Sequence, residues 1–158
     1  MGNVHRVIGV IMCLVVMATC RYENYDLAEA AGTPIAVLMW MNDVCQGEHD
    51  PIPAYDWNTL NTNLRDGVML NELINKLLEA DGKRPVPFQK KAVSQFMAMT
   101  NIETFNQGCI GYGMEKELTF QAGDLWDLRK DKFLNVLNCL HSLGVLASSK
   151  GFQPFYTG

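Results

Sequence analysis

Residues 64–78, LRDGVMLNELINKLL, constrain the fold more than any other stretch of the chain. Asp66 can accept a hydrogen bond from the free N–H groups of a first helical turn, the role of an N-cap. Gly67 lets the backbone turn into the helix without side-chain interference. Leu70, Leu73, Ile74 and Leu77 then recur at i, i+3, i+4 and i+7, so one face is apolar and must be buried. Such a helix belongs to a packed helical domain.

The rest of the chain repeats this pattern. Arg21 to Gly32 is polar and acidic, with a helix-compatible run at Leu27 to Ala31. Pro34 suits a first helical turn, and Ile35 to Cys45 follow as an apolar helix with Trp40 among Leu38, Met39, Met41 and Val44. Gly47 to Asn58 holds Pro51 and Pro53 and is loop, and Asn58 to Leu64 provides one helical turn. The helix after Asp66 ends near Asp81 and Gly82, since glycine is the favoured residue past a helix C-terminus. Lys83 to Lys91, KRPVPFQKK, is then an extended basic linker, because Pro85 and Pro87 both resist helix.

Helical spacing predicts a further helix from Val93 to Tyr112, with Phe96, Met99, Ile102, Phe105 and Cys109 on one face. Gly111-Tyr112-Gly113 ends it. This is a turn rather than a phosphate loop, lacking a preceding strand and a following Gly-Lys-Ser/Thr. Leu118 to Leu128 is a short helix or turn carrying Phe120, Leu125 and Trp126. The last long helix spans about Lys130 to Ala147, with Phe133, Val136, Leu137, Leu140 and Leu143 inward. No window alternates with period two, so the domain is all-α.

Composition narrows the function. At 158 residues, 48% hydrophobic and 19% charged, the chain suits one globular domain with extensions. A net charge of −4 disfavours non-specific nucleic-acid binding, which depends on neutralising phosphates with Lys and Arg. The five cysteines (Cys13, Cys20, Cys45, Cys109 and Cys139) form no C-x-x-C pair and are odd in number, so they read as ordinary thiols rather than a disulfide framework or zinc site. His5, His49 and His141 are far apart and near no second ligand at metal spacing. No metal, no cofactor and no catalytic constellation is expected.

The N-terminus carries one cation, Arg6, before an apolar run from Val7 to Cys20. That run is shorter than the about 20 residues a transmembrane helix needs. With small residues at Ala18 and Thr19, residues 1–20 resemble a secretory signal peptide with a cut after Cys20. The alternative is an extra buried helix or a start assigned too far upstream. An odd count of three later cysteines argues against an oxidising compartment. The expected division is a leader at 1–20, a polar linker at 21–32, a helical domain at 33–150 and a tail at 151–158.

Four blocks in order then resemble calponin-homology domains. Trp40 with Met41 and Val44 resembles the W-I-x-x-V of the first helix of that family. Residues 64–78 resemble its L-x-D-G-x-x-L-x-x-L-I-N-x-L block. Met99 to Phe105, followed by Gly113, resembles M-x-N-I-x-x-F, and Phe120, Asp124 and Leu125 match F-x-x-x-D-L. The Lys150-Gly151-Phe152 end resembles the single-domain calponin and transgelin branch, which includes small invertebrate muscle proteins. The resemblance implies a bundle of four main helices with short connecting ones, in which Trp40, Asp66, Gly67, Leu70, Leu73, Ile74, Leu77, Ile102, Phe105, Phe120, Asp124 and Leu125 are structural.

It also implies a non-catalytic module associated with F-actin and the cytoskeleton, or with signalling or microtubule partners. A secreted or lumenal helical protein is the alternative if the leader is used; membrane contact is expected only through that leader. With no second such domain and no calponin-like repeat before Gly158, direct actin binding is expected to be weak, near micromolar or about −8 kcal/mol. The candidate contact surface is basic: Lys83, Arg84, Lys90 and Lys91 in one linker, and Arg129, Lys130 and Lys132 at the last helix. Actin's acidic surface would be steered by such charges, although Asp127 and Asp131 dilute the second group and solvated surface is the plainer role. Trp40 offers a stacking platform and Met69, Met97, Met99 and Met114 a plastic groove, but helical spacing favours core packing for both sets.

Overall fold

The structure is a computed structural model and describes residues 21–158. The apolar leader and Cys13 and Cys20 lie outside the described residues. Seven α-helices and one 3₁₀ turn follow in order: α1 Tyr25–Ala30, α2 Thr33–Val44, α3 Trp57–Leu64, α4 Val68–Ala80, α5 Gln95–Tyr112, the turn Lys116–Leu118, α6 Ala122–Trp126 and α7 Lys130–Ser149. No strand occurs among the described residues, so the domain is all-α. The four long helices α2, α4, α5 and α7 form the bundle, and the shorter ones connect them.

Helix α7 is the central element. It touches α1, α2, α3, α6 and the 3₁₀ turn, and its buried residues run round the whole circumference from Phe133 to Ala147. A helix buried on all sides sits inside a domain rather than on its surface. The five residues expected inward, Phe133, Val136, Leu137, Leu140 and Leu143, are all fully buried. The α4 stripe behaves the same way: Leu70, Leu73, Ile74 and Leu77 are fully buried, mainly against α5, its most extensive partner.

The start of α4 differs in detail from the expected cap. Gly67, at φ +74°, is the N-cap itself, while Asp66 stands one residue earlier and its Oδ1 accepts from the Val68 N–H at 3.0 Å. Gly67 is required twice over. Its φ is left-handed, and a Cβ there would lie 2.7 Å from Asn101 Cβ and 3.1 Å from the Ile102 nitrogen. The missing side chain lets α4 and α5 approach closely at this point. Asp124 is likewise a helix-start residue rather than core: its carboxylate accepts from the Gln121 N–H at 3.0 Å, opening α6.

Several local expectations shift. Asp56 caps α3 by accepting from the Thr59 N–H at 3.0 Å, which extends the expected single turn to two. Helix α5 begins at Gln95 rather than Val93, capped by Ser94, and Phe96 in its first turn is exposed, not inward. On α2, Trp40 and Met41 are buried but Met39 is exposed. Met69 and Met114 fill core, whereas Met97 and Met99 are half-buried. Residues 21–32 carry α1, whose Tyr25 and Ala28 are buried.

The tail, too, is packed. Tyr156 is buried, and its ring sits against the bare backbone of Gly144, where any Cβ would overlap the ring carbons. Its hydroxyl is 2.7 Å from His141 Nδ1, and Trp40 Nε1 donates to the Pro154 carbonyl at 3.0 Å. Cys45, Cys109 and Cys139 are free, buried thiols, and burial pushes the Cys45 thiol up to about 12.

Candidate docking surface

The extended run after α4 is built by two asparagines. Helix α4 closes with a glycine motif in which the Gly82 N–H donates to Glu79 O and the Lys83 N–H to Leu78 O. Asn75 then grips Val86 on both sides: its Oδ1 accepts from the Val86 N–H at 2.7 Å and its Nδ2 donates to the Val86 carbonyl at 3.0 Å. Asn101 does the same to Gln89, at 2.9 Å in each direction, and also donates to the Asp66 carbonyl at 3.0 Å. Each amide replaces the partner that a neighbouring strand would supply. Proline could not have made such bonds, and both clamped residues lie between or after Pro85 and Pro87.

Helical polar residues of this kind read as solvated surface in sequence. The signal missed is that Asn75 and Asn101 fall inside the two most specific blocks, at positions where α4 and α5 face the linker. Asn71 supports them from within, donating to the Gly67 and Asn101 carbonyls at 2.8 Å each.

With the backbone fixed, the linker side chains divide. Val86 and Phe88 turn partly inward, and Arg84, Lys90 and Lys91 are exposed. None of those three cations has an ion pair among the described residues. Lys83 is different: it pairs with Asp81 at 2.9 Å and donates to the Gly111 carbonyl at 3.1 Å. Asp81 is shared with Lys150 at 3.0 Å, and the hydrogen bonds from Lys83 and Lys150 hold its carboxyl below the ordinary range. Lys90 also lines a groove of about 650 Å³ with Glu48, Glu72 and Glu79. Burial raises the Glu72 carboxyl, with His49 and Lys90 opposing.

The second basic group is organised otherwise. Arg129 is paired with Asp131 at 2.9 Å, Lys130 with Asp26 at 3.4 Å, and Lys132 with Asp127. The Lys132 hydrogen bond holds the Asp127 carboxyl low. No ion pair joins the two basic groups among the described residues. Among the same residues no group of three or more His, Cys, Asp and Glu could hold a metal ion, and no helix is long and apolar enough to cross a membrane.

The chain is 38% identical over 97 residues to mouse proto-oncogene vav and 37% identical over 97 residues to the human protein. It is 37% identical over 103 residues to mouse guanine nucleotide exchange factor VAV3. Each match covers 60% of this chain but 11% of the relative, so the chain spans about a ninth of the length of the curated relatives it matches. The exchange activity named for the last of these is therefore not carried over by the similarity. These relatives are Vav proteins, so the calponin and transgelin branch implied by the Lys150-Gly151-Phe152 end widens to the family as a whole. The family model for the calponin homology (CH) domain matches residues 34–148, and the chain belongs to that family.

Proposed function

We propose that this chain is a non-catalytic docking module of the cytoskeleton, with the clamped segment 83–91 as its partner surface and F-actin as the partner to test first. The observation that carries this reading is the pair of asparagine clamps, which hold Arg84, Lys90 and Lys91 outward on a fixed backbone. Pre-ordering a segment removes part of the entropy cost of binding, and unpaired cations steer an acidic partner. A calponin- or transgelin-like role in organising filaments is the finer form of the proposal.

The similarity to Vav proteins favours a second reading, in which the same surface docks a protein of a signalling assembly. Co-sedimentation of the full chain with F-actin, at low and at physiological salt, separates the two. Salt-sensitive pelleting is the result expected for the cytoskeletal reading. Absence of pelleting at both salts contradicts it and leaves the signalling reading. Mapping the N-terminus of the protein recovered from cells tests the leader: a chain starting near Arg21 would point to secretion, against a cytoskeletal location.

A further inference from the structure

The prolines and the clamps of the segment after α4 set a common repeat. Proline holds its own φ at about −65° and pushes the residue before it into extended or polyproline II backbone. Pro85 and Pro87 therefore keep the stretch from Arg84 to Pro87 in that range. The two asparagine clamps fall on Val86 and Gln89. That spacing is one turn of a polyproline II helix, which repeats about every three residues. Both bonded residues thus turn the same edge of the segment to the helices. Arg84, Pro87 and Lys90 share a second edge, and Pro85, Phe88 and Lys91 the third. Of these Phe88 is half-buried and the others are exposed.

The segment stands as a ridge between two depressions. On the α4 side lies the groove of about 650 Å³, with Pro85, Phe88 and Lys90 in its wall. On the α5 side lies one of about 580 Å³, walled by Val86, Pro87 and residues of α5. Both flanks of the ridge are therefore open to a partner. A polyproline II segment makes no internal hydrogen bonds, and partners that read its shape do so with a groove of aromatic rings. Charge sets the ends. Arg84 marks one end of the ridge and Lys90 and Lys91 the other, none of them ion-paired among the described residues. The α4-side groove holds Glu48, Glu72 and Glu79, and the α5-side one Glu103. These carboxylates direct those of a partner away from the flanks and toward the two ends.

We infer that residues 84–91 are a preformed polyproline II ligand for an SH3-type domain of a partner protein. Pro85 and Pro87 lie against its aromatic groove, and Arg84 meets carboxylates at the groove's edge. The inference rests on the docking-surface reading above and adds the backbone shape that a partner of the signalling kind would read. A free proline-rich peptide loses conformational freedom on docking, whereas here Asn75 and Asn101 have already removed much of it. A partner that reads charge alone gains nothing from the prolines, which gives the test its sharpest arm.

The test passes the full chain over a panel of purified, immobilised SH3 domains and measures binding at equilibrium. At least one domain should bind saturably. A proline-rich peptide that fills the SH3 groove should displace the chain, and heptalysine at the same concentration should not. Pro85→Ala with Pro87→Ala removes no charge and no clamping residue, and should weaken binding at least tenfold. Arg84 is exposed and unpaired, so Arg84→Glu leaves the fold intact and should weaken binding as much, even where the alanine variant loosens. Lys130→Glu, in the paired basic group, should stay within twofold of wild type. No binding across the panel up to millimolar chain, displacement by heptalysine, or indifference to both the alanine variant and Arg84→Glu overturns the inference. F-actin pelleting that persists without SH3 binding defeats this inference alone, and SH3 binding without pelleting defeats the actin reading alone.

Discussion

Two stretches of this chain gather cations, 83–91 and 129–132, and the structure organises them differently. Around Arg129, Lys130 and Lys132 every cation is matched by a carboxylate on the same or a neighbouring element. Along 83–91 the only cation matched among the described residues is Lys83, while the backbone is gripped by Asn75 and Asn101 and the remaining cations face outward. Charge in a sequence therefore does not identify a surface. What distinguishes the two is whether uncharged amides or charged carboxylates organise them. Amide clamps fix the backbone and leave the cations free, whereas ion pairs consume them.

The contrast can be broken first at Gly67, on which the clamped side depends. Gly67→Ala should lower stability by about 3 kcal/mol or more, since a left-handed φ and overlap with Asn101 act together. Thermal unfolding would show the loss, and a drop under about 1 kcal/mol would mean that α4 and α5 can separate cheaply. Asn101→Ala is the next largest perturbation. It removes the partner of Gln89 and Asp66 backbone groups and should cost about 2–3 kcal/mol. Hydrogen exchange should quicken at Gln89 while α7 stays protected.

Acid should separate the two regions by a smaller amount. His141 on α7 is buried beside Tyr22 and Tyr156, and desolvation lowers its pKa from the ordinary 6.5. The unfolded chain then takes up a proton more readily than the folded one. Stability therefore falls as pH drops below about 6.5, and the fall levels off once the buried ring is protonated too. The asparagine clamps hold no titratable group. Asp81 and Asp127, held low, lose their contribution only further down, below the ordinary carboxylate range. His141→Gln should flatten the Tm profile between about pH 7 and 5.5, and an unchanged slope would exclude His141 as its source. Lys132→Glu is the smallest case. Loss of its exposed pair with Asp127 should cost under about 1 kcal/mol, measured as a change in urea midpoint.

Much of the frame is legible in the sequence because periodicity reports burial directly. It gives the α4 and α7 stripes residue by residue, since every apolar position in those stripes is fully buried against neighbouring elements. Phe96 departs from the pattern because spacing alone cannot say that a first-turn residue overhangs the end of the core. Asn75 and Asn101 are illegible for a different reason: their partners are backbone groups 11 and 12 residues away, and only the tertiary path brings them together. Tyr156 against Gly144 is a contact of the same class. Asp66 stands one position from the cap its sequence suggests, because the left-handed Gly67 takes that place and leaves Asp66 to bond across it.

In the proposed reading, free cations on a clamped backbone, rather than total charge, make the docking surface. Co-sedimentation with F-actin at low salt separates the two, comparing wild type with a triple Arg84→Glu, Lys90→Glu, Lys91→Glu variant and a triple Arg129→Glu, Lys130→Glu, Lys132→Glu variant. Pelleting at least tenfold weaker for the first variant, and near wild type for the second, is expected. Equal loss in both, or loss only in the second, would contradict it.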